Sequence, residues 1–412
     1  MRAVTVVAVA VVLASLAGAV LLGATGALVD GDGAATLSTT WTSDSAVPSD
    51  NNHHEVAVGT VGDESRVFAP ISSTRAVDAC ALVAFDAASG EERWRDPVPS
   101  ANCTVHAVAD VTVADYDRDG TTEVLATTTE QVVVAYAPGG EVEREWELSA
   151  YGYTKPVVAN VTGDAAPEVV VVDSRGLVQV LDADGGVAWR DDRDGYVWGS
   201  PVVDDVDADG AVEVVVADST GAMTAYTASG GVDWNVPLDG EAVTWLGHGD
   251  ADADGVTEFY AGTPTGFVFA VDGTGERAWT TTRSDLTATS AVVRDDAGGG
   301  AFVASDDGTV ARLNATTGEV VWETTVASDA VQMMPPPVAG DVDGDGNAEL
   351  AVAAHDGTVA VLDPETGRTL ASVGHDDRAF AAPVLDDVDD DGRDEIVVIY
   401  ADGTVRRFDY DD

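Results

Sequence analysis

This sequence predicts an all-β fold, a β-propeller of eight four-stranded blades. Three observations predict it: an acidic loop that returns at steps of 45 or 46 residues, β-branched runs on either side of it, and a tryptophan that keeps step with both. Repetition at such a period marks an array in which each unit buries its apolar face against the next. Four short strands in about 45 residues are the dimensions of one blade. The chain has 412 residues and 45% hydrophobic residues, enough to fill a large core.

The elements follow in chain order. After Arg2, residues 3–29 carry no charge. A signal peptide needs an apolar stretch of roughly 7–15 residues and a spanning helix about 20. Residues 1–29 are therefore expected to export the chain, as an uncleaved anchor or a cleaved signal, with Arg2 inside and the body outside. No cysteine follows the apolar run, so no lipoprotein anchor is expected. Residues 30–55, rich in Asp, Gly, Ser, Thr, Asn and His, read as a stalk containing one strand, 36–43. Residues 56–412 are the propeller. Cys80 and Cys103 are the only cysteines. In an exported chain they suggest one disulfide; two buried free thiols are the alternative. Asn102, Asn160 and Asn314 head glycosylation sequons.

The acidic loop runs Asp115, Asp117, Asp119, Gly120, Glu123. It returns as Asp205, Asp207, Asp209, Gly210, Glu213 and as Asp250, Asp252, Asp254, Gly255, Glu258. Two more copies are Asp341, Asp343, Asp345, Gly346, Glu349 and Asp387, Asp389, Asp391, Gly392, Glu395. Asn160, Thr162, Asp164 and Glu168 make a weaker copy, and a further one near Arg294, Asp296 and Gly298 has lost its acids. Each loop leads into an apolar run such as Glu213–Ala217, then a Gly turn, an alternating strand, a second turn and a Trp-bearing strand. No helix is expected after residue 30.

Trp94, Trp146, Trp189, Trp234, Trp279 and Trp322 occupy one register, which in the repeat after Glu349 falls at Leu370 or Ala371. Packing between blades is their expected work. The last repeat stops before its fourth strand, while Trp41 lies on a strand with no preceding hairpin. Residues 36–43 are therefore expected to complete the last blade, removing an exposed edge. Counting hairpins from 56 gives eight blades, with seven as the fallback should the first unit be an irregular insertion.

These motifs carry two resemblances. The Asp-x-Asp-x-Asp-Gly-x-x-Glu loops resemble the FG-GAP repeats of integrin α-subunit propellers. The segments Ala84-Phe-Asp86-Ala-Ala-Ser-Gly90-Glu-Glu-Arg-Trp94 and Asn314-Ala-Thr-Thr-Gly318-Glu-Val-Val-Trp322 resemble the tryptophan-docking repeat of quinoprotein-type, PQQ-like propellers. Together they cover residues 56–412 and imply the fold. Both families host many functions.

Oxygen ligands at positions one, three and five of a tight turn converge on one point, the Gly at six allows the bend, and the carbonyl at seven and acid at nine complete the shell. Hard oxygens in a flexible loop favour Ca²⁺, so the twenty acids of the five full loops are expected to hold several Ca²⁺ ions; the Asn160 loop should bind weakly or not at all. The loops hold only a minority of the 73 acids, which face 20 basic residues for a net charge of −53. That charge excludes nucleic acid as a partner and disfavours docking on an anionic membrane. Lys155 is the only lysine. A surface of carboxylates with few, mostly Arg cations resembles the proteins of salt-in halophiles, where a Debye length of about 3 Å quenches self-repulsion; an acidic cation-binding protein from an ordinary organism is the alternative.

Opposite the loops, the connections between blades carry residues outside the repeat. Tyr153, Trp198, Met334 and Phe380 each sit seven residues before a loop, and Lys155, Trp245 and Arg378 lie nearby, with Tyr151, Tyr196, His248, Met333 and His375. They form either an aromatic mouth for a sugar, peptide or protein or inter-blade packing. Six histidines, two of them (His53, His54) in the stalk, leave little for acid–base chemistry. The expected function is a monomeric, non-catalytic binding scaffold at the cell surface with a protein or glycan partner. The alternative is a quinone-dependent oxidoreductase of PQQ type or a polysaccharide-acting enzyme.

Overall fold

Valine-rich runs bounded by Gly turns can bury both faces only as inner strands of a packed sheet, and that is where they lie. The structure, a computed structural model, describes residues 35–49, 51–164, 166–193, 195–284, 287–293, 300–327 and 333–411. The signal or anchor expected at 1–29 and the degenerate loop near Arg294 lie outside these residues. Among the described residues every regular element is a strand, and no helix is long and apolar enough to cross a membrane. Residues 35–412 make one compact unit.

The strands form eight antiparallel four-stranded sheets. Blade 1 runs from Ala57–Val61 to Glu92–Pro97, a regular blade and not an insertion, so the count is eight. In blade 4, Val202–Asp204, Glu213–Ala217, Ala222–Tyr226 and Val232–Pro237 follow in order. The second strand is buried at every residue, whereas the fourth alternates toward solvent. Blade 8 takes its outer strand from the other end of the chain. Thr36–Thr42 pairs antiparallel with Val405–Asp411, with a bulge between Thr39 and Trp41.

The tryptophans lock neighbouring blades. Trp94 donates its indole N–H to the Pro138 carbonyl (3.2 Å), Trp234 to Gly273 (2.8 Å), Trp279 to Ala315 (2.7 Å), and Trp41 closes the circle on Ala87 (2.8 Å). Each acceptor lies in the turn before the outer strand of the next blade. One assignment needs correction. Trp146 pairs with Val133, two residues beyond the slot, which Arg144 occupies opposite Ala135; its indole still reaches the next blade, at Asp182. In blade 7 the slot belongs to Ala371, opposite Val361.

The stalk is also corrected. Beyond the closing strand, residues 43–49 and 51–55 fold back into the ring. Ser45 donates to the Gly403 carbonyl (2.7 Å), the Asn52 amide side chain accepts the Ser72 N–H (2.8 Å), and Asn52 and His54 are buried. Their polarity satisfies backbone groups at the ring closure and does not mark solvent exposure. Cys80 and Cys103 form a disulfide, Cα–Cα 5.4 Å, that ties the residue just before the third strand of blade 1 to the connection leaving that blade.

Candidate metal loops and central cavity

Every acidic loop follows an innermost strand and precedes the second, so all five lie at the same end of the ring. Their backbone is built one way. The first acid caps the sixth residue: Gly120 N–H to Asp115 Oδ2 (3.1 Å), Gly210 to Asp205 (3.0 Å), Gly346 to Asp341 (2.9 Å), Gly392 to Asp387 (2.9 Å). The closing glutamate accepts the N–H of the loop's second residue, as from Val206 to Glu213 (3.2 Å) and Val388 to Glu395 (2.9 Å). The fourth residue is left-handed even where it is not glycine, at Arg118 (φ 60°), Ala208 (62°), Ala253 (66°) and Asp390 (59°). Four side chains held in that sparsely populated region at one loop position show that the surrounding hydrogen bonds over-determine the bend.

The carboxylates are aimed inward. Oxygens of Asp115, Asp117 and Glu123 lie within 4.8 Å of one another, as do those of Asp205, Asp207 and Glu213, of Asp341, Asp343 and Glu349, and of Asp250, Asp252 and Asp254. Asp119, Asp209 and Asp345 stand outside these groups; each turns an oxygen onto the N–H two residues on, 2.7–2.8 Å away. Asp115 Oδ1, Asp205 Oδ1 and Glu123 Oε1 are buried and find no hydrogen-bond partner among the described residues. Such an atom costs about 1–3 kcal/mol, more for a charged group. Burial, with the neighbouring aspartates adding, pushes Glu123, Glu213, Glu258 and Glu349 up to about 7. Buried oxygens without donors, ringed by like charge, could hold a hard divalent cation, and Ca²⁺ would suit such a donor set.

Two loops differ. In the Asn160 loop, Glu168 Oε1 is taken by the Thr162 hydroxyl (2.6 Å) and Oε2 by the Val161 N–H (2.8 Å). In the last loop a buried cation is already present: Arg407 reaches Asp389 (2.7 Å), Glu395 (3.1 Å) and Asp409 (3.1 Å). Burial also raises Glu395 to about 7.

At the other end, the connections into blades 1, 2, 3, 4, 5, 7 and 8 enclose a cavity of ≈ 610 Å³. Tyr153, Trp198, Trp245, Arg378 and Phe380 line it. Tyr153, Tyr196 and Trp198 touch in sequence, with centroids 5.4 and 5.0 Å apart. Met334 is instead buried between blades 6 and 7, and its neighbour Met333 lines the cavity. Lys155 is exposed and does not line it. His248 and His375 are likewise elsewhere; His375 packs on Phe408.

Sequence reasoning missed one wall of this cavity, made by His53, His54, Glu55, His106 and Asp110. Asp110 accepts the Glu55 N–H (2.8 Å) and faces His54 Nδ1 (3.1 Å). His54 Nε2 lies 3.3 Å from His106 Nδ1, and His53 Nδ1 lies 2.8 Å from the Asn51 carbonyl. Burial, with neighbouring imidazoles, lowers His53 to about 4 and His106 to about 3. Burial and Asp110 raise Glu55 to about 7. The signal was the pair His53-His54 in a chain of only six histidines.

Comparison with known proteins agrees with this architecture. No curated protein matches the sequence. BamB from Moraxella catarrhalis superposes with a TM-score of 0.61 at 16% identity, covering 91% of this chain and 98% of that one. The computationally designed Ika8 protein gives 0.61 at 16% identity over 88% of this chain and 98% of its own. BBS1N, solved in complex with ARL6DN, gives 0.54 at 12% identity over 72% and 90%. These likenesses are of fold. The sequence profile of the outer membrane protein assembly factor BamB matches residues 5–162 and 264–412, well over half the chain, and by that match the protein belongs to the BamB family of PQQ-like repeat propellers.

Proposed function

We propose that this chain is an exported, Ca²⁺-stabilised propeller that binds a protein partner through its cavity face and performs no catalysis on it. One observation carries the reading: an aromatic-walled cavity of ≈ 610 Å³ opens at one end of the ring, while the other end is a rim of convergent carboxylates. Aromatic side chains with a few polar groups at a concave centre make a binding surface. The rim lies away from that surface, so its ions would stiffen the blades without meeting the partner. The family's namesake is an assembly factor, and BBS1N, a propeller of this fold, is solved in complex with another protein; both support a protein partner over a glycan. Residues 1–29 would carry export as a signal or anchor, and the FG-GAP-like loops would supply the calcium sites. The charge of −53 with one lysine supports work in molar salt.

A photo-crosslinker at Trp245 on the cavity face, compared with one at the exposed Asp184 on a blade edge, tests the docking surface in cells. A partner captured from Trp245 alone, and lost in a Trp198→Ala chain of unchanged melting temperature, is expected. Capture from Asp184 alone, or capture insensitive to Trp198, would overturn the reading.

A further inference from the structure

We infer that His53, His54 and His106 form a transition-metal site in the cavity wall, holding a zinc-class divalent ion through three imidazole nitrogens with one coordination place open to the cavity. This goes beyond the scaffold reading and stands whether or not a protein docks there or the acidic loops are filled.

Half of the chain's six histidines meet here although they come from two separate segments. One ring nitrogen from each lies within 4.8 Å of the other two. His54 Nε2 and His106 Nδ1 are 3.3 Å apart. In a tetrahedral site with Zn–N bonds of about 2.0–2.1 Å, neighbouring nitrogens stand about 3.3 Å apart.

The tautomers are set from behind. Asp110 Oδ1 faces His54 Nδ1 at 3.1 Å. An ionised carboxylate only accepts, so Nδ1 carries the proton and Nε2 presents its lone pair. The Asn51 carbonyl does the same for His53 through Nδ1, 2.8 Å away, freeing Nε2. A carboxylate behind His54 and a carbonyl behind His53 make the outer-shell arrangement that orients metal-binding histidines. Asp110 is itself anchored by the Glu55 N–H (2.8 Å). The rings also touch, His53 stacking on His54 at 4.7 Å and meeting His106 edge-on at 4.8 Å, but packing alone does not require His53 and His54 to be held in fixed tautomers.

Three imidazoles suit Zn²⁺, Cu²⁺, Co²⁺ or Ni²⁺ and not Ca²⁺, which prefers oxygen. The site is therefore chemically separate from the rim. All three rings line the cavity, and the Tyr153 hydroxyl lies 3.5 Å from His53 Nε2. A fourth donor, water or a carboxylate of whatever enters, would complete the ion.

The test titrates the full chain with Co²⁺ in saturating Ca²⁺, following the visible bands of tetrahedral cobalt, then displaces it with Zn²⁺. One equivalent of tetrahedral Co²⁺ is expected. His106→Ala and His54→Gln should each weaken it at least about 100-fold, and Asp110→Asn about 10–100-fold, as loss of an outer-shell partner does. His375→Ala, away from the cavity, should leave it unchanged. X-ray absorption of the wild-type zinc complex should count three imidazoles, a readout that needs no variant to fold. Absence of tetrahedral Co²⁺ in the wild-type chain, a zinc shell without imidazole, or full affinity in a folded His106→Ala chain would each overturn the site.

Discussion

Glycines in this chain do two different jobs, and alanine separates them. Gly210 in the acidic loop has φ +92°, and a methyl there would meet nothing within 4 Å. Gly318 has φ +70°, and its methyl would strike the Trp279 ring at 2.5 Å. Gly210→Ala should cost only the left-handed strain, about 1–2 kcal/mol. Gly318→Ala should cost more, because it also dislodges a docked indole and its bond to Ala315. Denaturant unfolding of both variants in saturating Ca²⁺ checks the order, and equal losses would deny the docking. The Trp–Gly spacing was legible in sequence because both residues repeat. The slip at Trp146 was not, because Arg144 fills the slot and covers Gly185, and a guanidinium in a tryptophan position leaves no periodic trace. The loop glutamates carry the pH dependence. In chelator-treated protein, Glu123, Glu213, Glu258 and Glu349 are raised from 4.5 to about 7. The folded chain then binds more protons than the unfolded one between those values, so stability falls as pH rises through the window and levels off above it. Ca²⁺ needs the ionised forms, so its apparent affinity should climb over the same range. Melting curves at pH 5 and pH 8, with and without Ca²⁺, check both signs.

An acidic loop is a unit of nine residues whose hydrogen bonds fix the bend and leave some oxygens over. The Asn160 loop differs by satisfying both oxygens of Glu168 internally, so Glu168→Gln should not change the number of Ca²⁺ ions bound. Asp205→Asn with Glu213→Gln should remove one, counted by calorimetry. The last loop should be the weakest of the full copies, since Arg407 already neutralises Asp389 and Glu395. Arg407→Gln should tighten that site, and unchanged or weakened binding there would mean the guanidinium does not compete. Loops of this kind were legible because their acids are sequential. The histidine wall was not, because its residues come from two segments whose meeting depends on residues 51–55 folding into the ring. Polar composition alone cannot distinguish a chain in water from a chain whose side chains cap another segment's backbone.

Closure was legible from arithmetic on the tryptophans, and it bears on the whole ring. Residues 36–42 are the outer strand of blade 8, placed against a strand more than 360 residues later. They bring Trp41 to the Ala87 carbonyl and leave Gly90 against its ring, so one short strand joins the last blade to the first. The disulfide lies on the same first blade, closing a loop of 23 residues by sequence separation, for which chain entropy gives about 3 kcal/mol. Blade 1 is thus tied at both sides, by Trp41 from blade 8 and by Cys103 toward blade 2. Without the strand, Val405–Asp411 becomes an edge with unpaired backbone groups, a template for pairing with another chain, and the ring can open at the interface where the chain's two ends meet. A chain starting at residue 44 should therefore melt far below one starting at residue 35, and its melting temperature should depend on protein concentration as edges pair between molecules. A peptide spanning residues 35–43, added in excess, should restore monomeric melting by mass action. Equal melting of the two chains would mean that the eighth blade holds with three strands and that the ring owes its stability to the remaining interfaces alone.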